Sequence, residues 1–386
     1  MLAGLAEGAR VIGFSELSEG THEFPYIIRR ALFALAESSH VRGLAIQAPM
    51  AEAMEVDRYV RTGVGDPEKL LRSLNSWRWE THEMRALVEA IRAWNRGRAP
   101  NDQIGFYGFE IPSAAHAVSV VSSLSESVTG ASLKAWIAHK YSCVAVNEGA
   151  HFGLEGRAAD SAYWNACAPA TKVVVDSIVA LRRRINASSP AAPQVAFAEQ
   201  MARLVEHHVR TGLRHLPRQE LNAEHVLYLA DLAGPDAKLI MWGGDAEVGR
   251  ITLDKKIIQT GTALGEKLGS RYRPIAFAFG DGTLRAREAS RDRGGNPSGL
   301  TDLYVGRPQA DTYEDVFYRA GRNGFWLDMR SLPKDMGGNW LRGPRPMRLI
   351  IEVYSAMAPD LFQTPVELPK NFDAVVFVEH TTAAKS

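Results

Sequence analysis

The sequence predicts an α/β fold: a mostly parallel central sheet flanked by helices, with a helical segment inserted over the cleft. Three observations predict it. Short apolar runs of strand length alternate with helical periods toward both ends of the chain, the pattern of a sheet built by crossover connections. The runs are continuously apolar, which suits strands covered on both faces. The middle of the chain, from about Ser113 to Ala230, carries helical periodicity alone.

The elements follow in order. Arg10–Phe14 (RVIGF) reads as the first strand, and Phe24–Ser39 as the helix after it. Arg42–Ala48 is the second strand, and Gln103–Phe109 follows a helix over Glu80–Asn95. Helical patterns then cover Ala114–Leu124, Ser132–Tyr141, Ala159–Asn186, Gln194–Leu213 and Gln219–Leu232. Strand runs return at Ala237–Trp242, Pro274–Phe279, Phe325–Met329, Met347–Tyr354 and Ala374–Val378. The expected division is an α/β core over 1–112 and 231–386, with a helical subdomain over 113–230 covering the cleft. Ser188–Pro193 reads as a loop. Ala286–Pro308 is long for a connection and is expected to be a lid or a binding loop.

Charge and cysteine usage exclude several classes. The 45 Lys+Arg against 44 Asp+Glu leave no electrostatic footprint for nucleic acid or a membrane surface. The run Arg182-Arg183-Arg184 reads as a solvated helix end. Cys143 and Cys167 are too few for a disulfide framework or a cysteine-rich metal site, and are expected to be reduced cytosolic thiols. No apolar run approaches the ~20 residues of a membrane span, and residues 1–14 do not have the make-up of a signal peptide. The expected location is cytoplasmic, and the expected partner is a small-molecule substrate.

Common catalytic motifs are absent. Gly13-Phe14-Ser15-Glu16-Leu17 misses the serine elbow at its last position, and no phosphate-cradling glycine loop occurs. His207 and His208 are adjacent, about 100° apart on a helix, and do not chelate together. A positional argument remains. Open α/β sheets bind ligands beyond the carboxyl ends of their strands. After the first strand comes Ser15–Glu23, with Glu16, Glu19 and His22; the second ends in Gln47; the strand at 237–242 is followed by Asp245 and Glu247. Acidic side chains therefore converge where such a fold forms its cleft, although loop acids also cap helices.

The sequence resembles the erythromycin esterase family. The resemblance is carried by Gly20-Thr21-His22-Glu23-Phe24, Val56-Asp57-Arg58-Tyr59-Val60, and Trp77-Arg78-Trp79-Glu80-Thr81-His82-Glu83-Met84 running on to Arg92-Ala93-Trp94-Asn95. It continues through Gly105-Phe106-Tyr107-Gly108-Phe109, Ala223-Glu224-His225-Val226-Leu227, Lys238–Arg250 and Phe372-Asp373, with Thr381-Thr382-Ala383 near the end. Order and spacing hold over nearly the whole chain. The resemblance implies an α/β core with many helices around a deep cleft.

The departures bear most on function. The family's first motif reads G-E-A-T-H-G-T-x-E-F, its histidine being the general base that activates water. Here Glu16 keeps the glutamate and Glu19 replaces the histidine. The family's A-W-E-A becomes Ala45-Ile46-Gln47-Ala48. W-A-H-N-A-H becomes Trp242-Gly243-Gly244-Asp245-Ala246-Glu247, so the two histidines become Gly244 and Glu247. W-x-W-R becomes Trp77-Arg78-Trp79-Glu80. Three glutamates at former histidine or arginine positions do not look like random decay. Clustered carboxylates raise one another's pKa, which suits general acid/base work. They also suit a hard cation such as Mg²⁺ or Ca²⁺, or a cationic substrate.

The expected catalytic residues are therefore Glu16, Glu19 and Glu247, with Gln47, Trp77, Trp79, Glu80, Asp245 and His22 binding substrate. No cofactor is expected, with a carboxylate-bound Mg²⁺ or Ca²⁺ as the variant. The expected activity is cyclisation, elimination or isomerisation of a natural-product intermediate, polyketide-like or another secondary metabolite. The alternatives are an ester or lactone hydrolase with glutamate as base, and a ligand-binding pseudoenzyme.

Overall fold

The computed structural model describes residues 2–110, 114–129, 131–145, 161–186, 188–212, 218–251, 258–289 and 299–385. The chain divides into two compact units. One comprises Met1–Ala48, Ala53–Phe109 and Asn222–Ser386; the other comprises Pro49–Glu52 and Glu110–Leu221.

The first unit is built on a mostly parallel sheet. The strands of the unit are β1 (Val11–Glu16), β2 (Val41–Pro49), β3 (Gly105–Glu110), β4 (Lys238–Gly243), β5 (Tyr272–Glu288), β6 (Leu300–Val305), β7 (Gly324–Asp328), β8 (Arg345–Arg348), β9 (Val353–Tyr354), β10 (Gln363–Val366) and β11 (Ala374–Thr381), of which β8 and β10 form a separate antiparallel pair. The main order is β3-β2-β4-β1-β5-β11-β7, with β6 and β9 also paired to β5. β1 runs parallel to both β4 and β5, at the centre of the sheet. Every residue of β1 is buried, as its uninterrupted apolar run requires. Phe14 stacks on Phe277 of β5 at 5.8 Å between ring centres.

The flanking helices are amphipathic. Helix Glu23–Ser38 buries Phe24, Ile28, Ala31, Leu32 and Leu35. Helix His82–Asn95 buries Met84, Leu87, Val88, Ile91 and Asn95, the i, i+3, i+4, i+7 stripe of a one-sided helix. Thr81 caps it, accepting the Met84 N–H at 3.3 Å. Several strings that resemble the family are pins of this framework. Asp57 accepts the Phe106 N–H on β3 at 2.9 Å and the Arg61 guanidinium at 2.8 Å. Asp373 is gripped by Arg250 at 2.8 Å and Arg273 at 3.3 Å. His225 Nδ1 lies 2.8 Å from the Phe109 carbonyl.

Two strand expectations need correction. The stretch 286–308 is not all loop: β5 runs on to Glu288 and pairs antiparallel with β6, Arg287 opposite Leu300. Thr301, Leu303 and Val305 alternate with polar neighbours there, a period-2 signal outweighed by the glycines before it. The centre of that stretch, 290–298, lies outside the described residues. The expected strand over 347–354 is two short pieces, β8 and β9.

The second unit holds helices Ala115–Thr129, Ala131–Ala145, Ser161–Arg184 and Ala192–Gly212. Helix Arg218–Ala233 spans the unit boundary, which falls at residue 221 rather than 230. Arg182, Arg183 and Arg184 form the last turn of their helix, where cations complement the helix dipole. Cys143 and Cys167 are joined by a disulfide with Cα atoms 5.6 Å apart, contrary to the expectation of free thiols. They sit on two helices that pack side by side, a proximity that no local pattern reveals. Among the described residues no helix is long and apolar enough to cross a membrane.

Candidate functional site

Three adjacent strands deliver the polar residues. Phe14, Trp242 and Ile46 lie level across β1, β4 and β2. The next residues along the strands, Ser15, Gly243 and Gln47, therefore open the carboxyl ends together, with Glu16 closing β1. The chain leaves β1 through Ser18 and Glu19, whose N–H donates to the Ile350 carbonyl at 2.8 Å. It then turns at Gly20, where φ is +80°. A Cβ there would lie 2.1 Å from the Arg285 carbonyl oxygen, so glycine is required both by conformation and by space.

Glu16 and Glu19 are 4% and 2% exposed. Arg78 reaches them from the turn Trp77–Trp79: its Nη1 lies 3.0 Å from Glu19 Oε1 and 3.5 Å from Gln47 Oε1. The Gln47 amide oxygen also accepts the Gly244 N–H at 3.2 Å, and its main-chain carbonyl accepts the Trp79 indole N–H at 3.2 Å. Glu247, on the short helix Asp245–Val248, brings a second carboxylate beside Glu19. A Cβ at Gly244 would stand 3.0 Å from Glu247 Oε2 and 4.0 Å from Glu19 Oε1.

Burial governs the acidity. Desolvation pushes Glu16 up to about 7; Arg78 opposes it, and the Trp242 indole opposes it weakly, without a hydrogen bond of normal geometry. Desolvation pushes Glu19 up to about 8. Arg78 pulls it down, while Glu16, Glu352 and Glu247 push it further up. Like charges and the arginine thus act on Glu19 in opposite directions. Asp245 is buried and also raised, chiefly by desolvation, with local main-chain hydrogen bonds opposing.

A small cavity adjoins Glu16, lined by Gly20, Thr21, Trp77, Arg78 and Trp242 among others. It has room for about one water molecule. The indole N–H groups of Trp77 and Trp242, Arg78 Nε and Nη2, Thr21 Oγ1 and Glu16 Oε1 have no protein hydrogen-bond partner among the described residues. Trp77 and Trp79 both line the cavity. Trp79 is fully buried, edge-on to Trp242 at 5.2 Å, and chiefly packs the core.

The structure thus brings together Glu16, Glu19, Gln47, Trp77, Trp79 and Glu247. It separates two expected site residues. Glu80 is exposed and faces Arg72, 3.9 Å away; water solvates this acid more cheaply than the crowded interior would. His22 follows the Gly20 turn onto the outer face, where its Nδ1 lies 2.7 Å from Glu83 Oε1 and its ring stacks on Tyr26. Two residues escaped the sequence reading. Arg78 stood inside the Trp-Arg-Trp string without being assigned a role. Glu352, exposed beyond β8, had no signal in its neighbourhood. Among the described residues, no group of three or more His, Cys, Asp or Glu is arranged to hold a metal ion.

The comparisons with known proteins agree on the framework. A Bacillus cereus protein of solved structure superposes with a TM-score of 0.75 at 18% identity, covering 99% of this chain and 91% of its own. A succinoglycan biosynthesis protein gives 0.76 at 16% identity, covering 100% of this chain and 91% of its own. A mutant of the erythromycin esterase EreC in its open conformation gives 0.59 at 15% identity, covering 98% and 93%. The sequence pattern of erythromycin esterase matches residues 37–381. Spanned over most of its length by that pattern, the chain belongs to the erythromycin esterase family.

Proposed function

We propose that this chain is an enzyme that uses buried carboxylates for general acid/base chemistry on a natural-product intermediate, by cyclisation, elimination or isomerisation. The observation that carries this is the pair Glu16 and Glu19, raised to about 7 and about 8 within one buried cluster. At neutral pH such a pair holds a proton to give and a carboxylate to receive one, which a single ordinary glutamate cannot offer. Glu19 is the proton donor, kept in place by Arg78. Glu16 is the acceptor, and Glu247 and Gln47 orient the substrate. A step in which one glutamate takes a proton as the other gives one leaves the pair's charge unchanged and needs no outside reactant.

Hydrolysis of an ester or lactone is the second reading, favoured by the family and by the one-water cavity at Glu16. There Glu16 would take a proton from water as it attacks the carbonyl. Mass spectrometry of purified protein incubated with macrolide lactones and with metabolite extracts separates the readings. Acid/base tailoring yields products of unchanged mass or lacking one water. Robust gain of one water on macrolides overturns it in favour of hydrolysis. Substrate capture without any product points to a ligand-binding pseudoenzyme.

A further inference from the structure

The segment from Ile350 to Gln363 leaves large apolar side chains in water. Met357 is 92% exposed, Leu361 78% and Ile351 46%. Each adjoins in the chain a residue that lines one cleft, and Tyr304 of β6, 60% exposed, lines it too. Apolar surface gathered in this way marks a place that meets a ligand or a partner. The cleft has a volume of about 250 Å³, close to the low end of small-molecule sites. Its walls are aromatic. Tyr354 and Phe362 pack with ring centres 5.1 Å apart, and Tyr304 joins them. Its charge is of one sign: among the described residues that line it are two arginines, Arg307 and Arg348, and no carboxylate. Arg348 is buried and fixed, its guanidinium donating to the carbonyls of Phe279 at 3.2 Å, of Gly280, and of Gly306 at 2.6 Å. Arg307 is exposed. Its guanidinium lies 5.5 Å over the Tyr318 ring and has no ion-pair partner among the described residues. The acids nearby already have partners. Asp281 bonds His380 and the Tyr318 hydroxyl, Glu314 accepts the Arg348 main-chain N–H at 2.8 Å, and Asp360 accepts from the Gln309 amide.

We infer that this cleft binds an aromatic carboxylic acid, its ring against Tyr304, Tyr354 and Phe362 and its carboxylate on Arg307. Aromatic walls favour an aromatic body by stacking and edge contacts. The planar fork of an unpaired arginine matches a carboxylate. A concave site with an apolar rim encloses a small molecule, whereas a protein partner meets a broader face. The site goes beyond the acid/base reading, since it shares no lining residue with the cavity at Glu16. It does abut the loop bearing Glu19. Ile350 lines the cleft, donates its N–H to the Leu17 carbonyl at 2.9 Å and accepts the Glu19 N–H at 2.8 Å. An acid bound in the cleft therefore rests on the peptide that holds Glu19.

Naphthoate is the probe, titrated into the intact protein and followed by NMR, with naphthamide as the uncharged control and decanoate as the open-chain one. Saturable binding with a Kd on the order of 0.1–1 mM is expected for so small a ligand, with shifts in the ring resonances of Tyr304 and Tyr354 and in the Glu19 amide. Naphthamide and decanoate should bind roughly three- to tenfold more weakly. Arg307→Gln changes an exposed side chain, so it should fold, and it should bind naphthoate and naphthamide equally well. Ala356→Trp, at an exposed position of the lining, should fill the mouth and abolish binding of both. The inference is overturned if naphthoate does not saturate wild-type protein, if naphthamide or decanoate binds as tightly, or if folded Arg307→Gln keeps its preference for the acid. Saturating shifts confined to residues outside the cleft overturn it as well. So does a chain that dimerises through this face, seen by light scattering as a dimer that Met357→Ser converts to monomer. Binding is read without turnover, so these results stand apart from the acid/base reading, which fails on products alone.

Discussion

On the proposed reading, Glu19 concentrates the chemistry of the site in one side chain. Its proton is held more tightly in the folded chain than in the unfolded one, and the same is true of Glu16. The folded state therefore binds extra protons between the ordinary value of 4.5 and about 7 and 8. The stability that this gives is complete below 4.5 and is lost as pH rises through 7 and 8. Unfolding free energy should consequently fall as pH rises from about 4.5 to about 8 and level off above that, by on the order of 1–4 kcal/mol per glutamate, read as falling urea midpoints. Glu16→Gln and Glu19→Gln should each flatten that slope and be more stable than wild type at the alkaline end. The same substitutions should cut turnover by roughly 10²–10⁴-fold if the two residues move protons. Full turnover in both would exclude them as acid and base. Arg78→Met removes the guanidinium paired with Glu19, so the carboxyl resonance of Glu19 should titrate at higher pH than in wild type; an unchanged midpoint would mean that the ion pair is not maintained in solution.

At the scale of elements, the turn after β1 is the most demanding. Gly20→Ala sets a methyl carbon against the Arg285 carbonyl at a positive φ. It should cost on the order of 3 kcal/mol or more, seen as a lowered melting temperature with the loss of site function. Most of this architecture was legible in the sequence because β1, β2, β4 and β11 are buried on both sides and show it as unbroken apolar runs. Glu16, Glu19, Gln47 and Glu247 were legible because strand ends mark the cleft of such a sheet. The remainder was not, for physical reasons. Arg78 acts from a three-residue turn that carries no periodicity. Whether His22 and Glu80 face inward depends on backbone direction after a turn, which residue type does not encode. β6 and β10 are short and partly exposed, and their pairing is with distant segments.

At the scale of the whole chain, the disulfide belongs to the helical unit alone. It closes a loop 24 residues apart in sequence, so Cys143→Ser should cost about 3 kcal/mol by the chain-entropy argument. The loss should appear in helical melting of that unit, and a reductant should reproduce it in wild type; equal melting with and without reductant would show the bond to be dispensable. The site unit has another dependence, on residues far along the chain. Ala384 donates its N–H to the Gly20 carbonyl at 2.9 Å, and His22 donates its own to Thr382 at 2.8 Å. The Thr382 hydroxyl and N–H both bond the Glu23 carboxylate, at 2.7 and 2.9 Å. The loop bearing Glu19 is thus clasped by residues 382–384, added to the growing chain some 360 positions later. During synthesis β1 waits for both of its neighbours, β4 and β5, and the Glu19 loop waits longer still. A ribosome-bound fragment that stops short of residues 382–384 holds every glutamate of the site and lacks the hydrogen bonds that fasten the loop bearing Glu19.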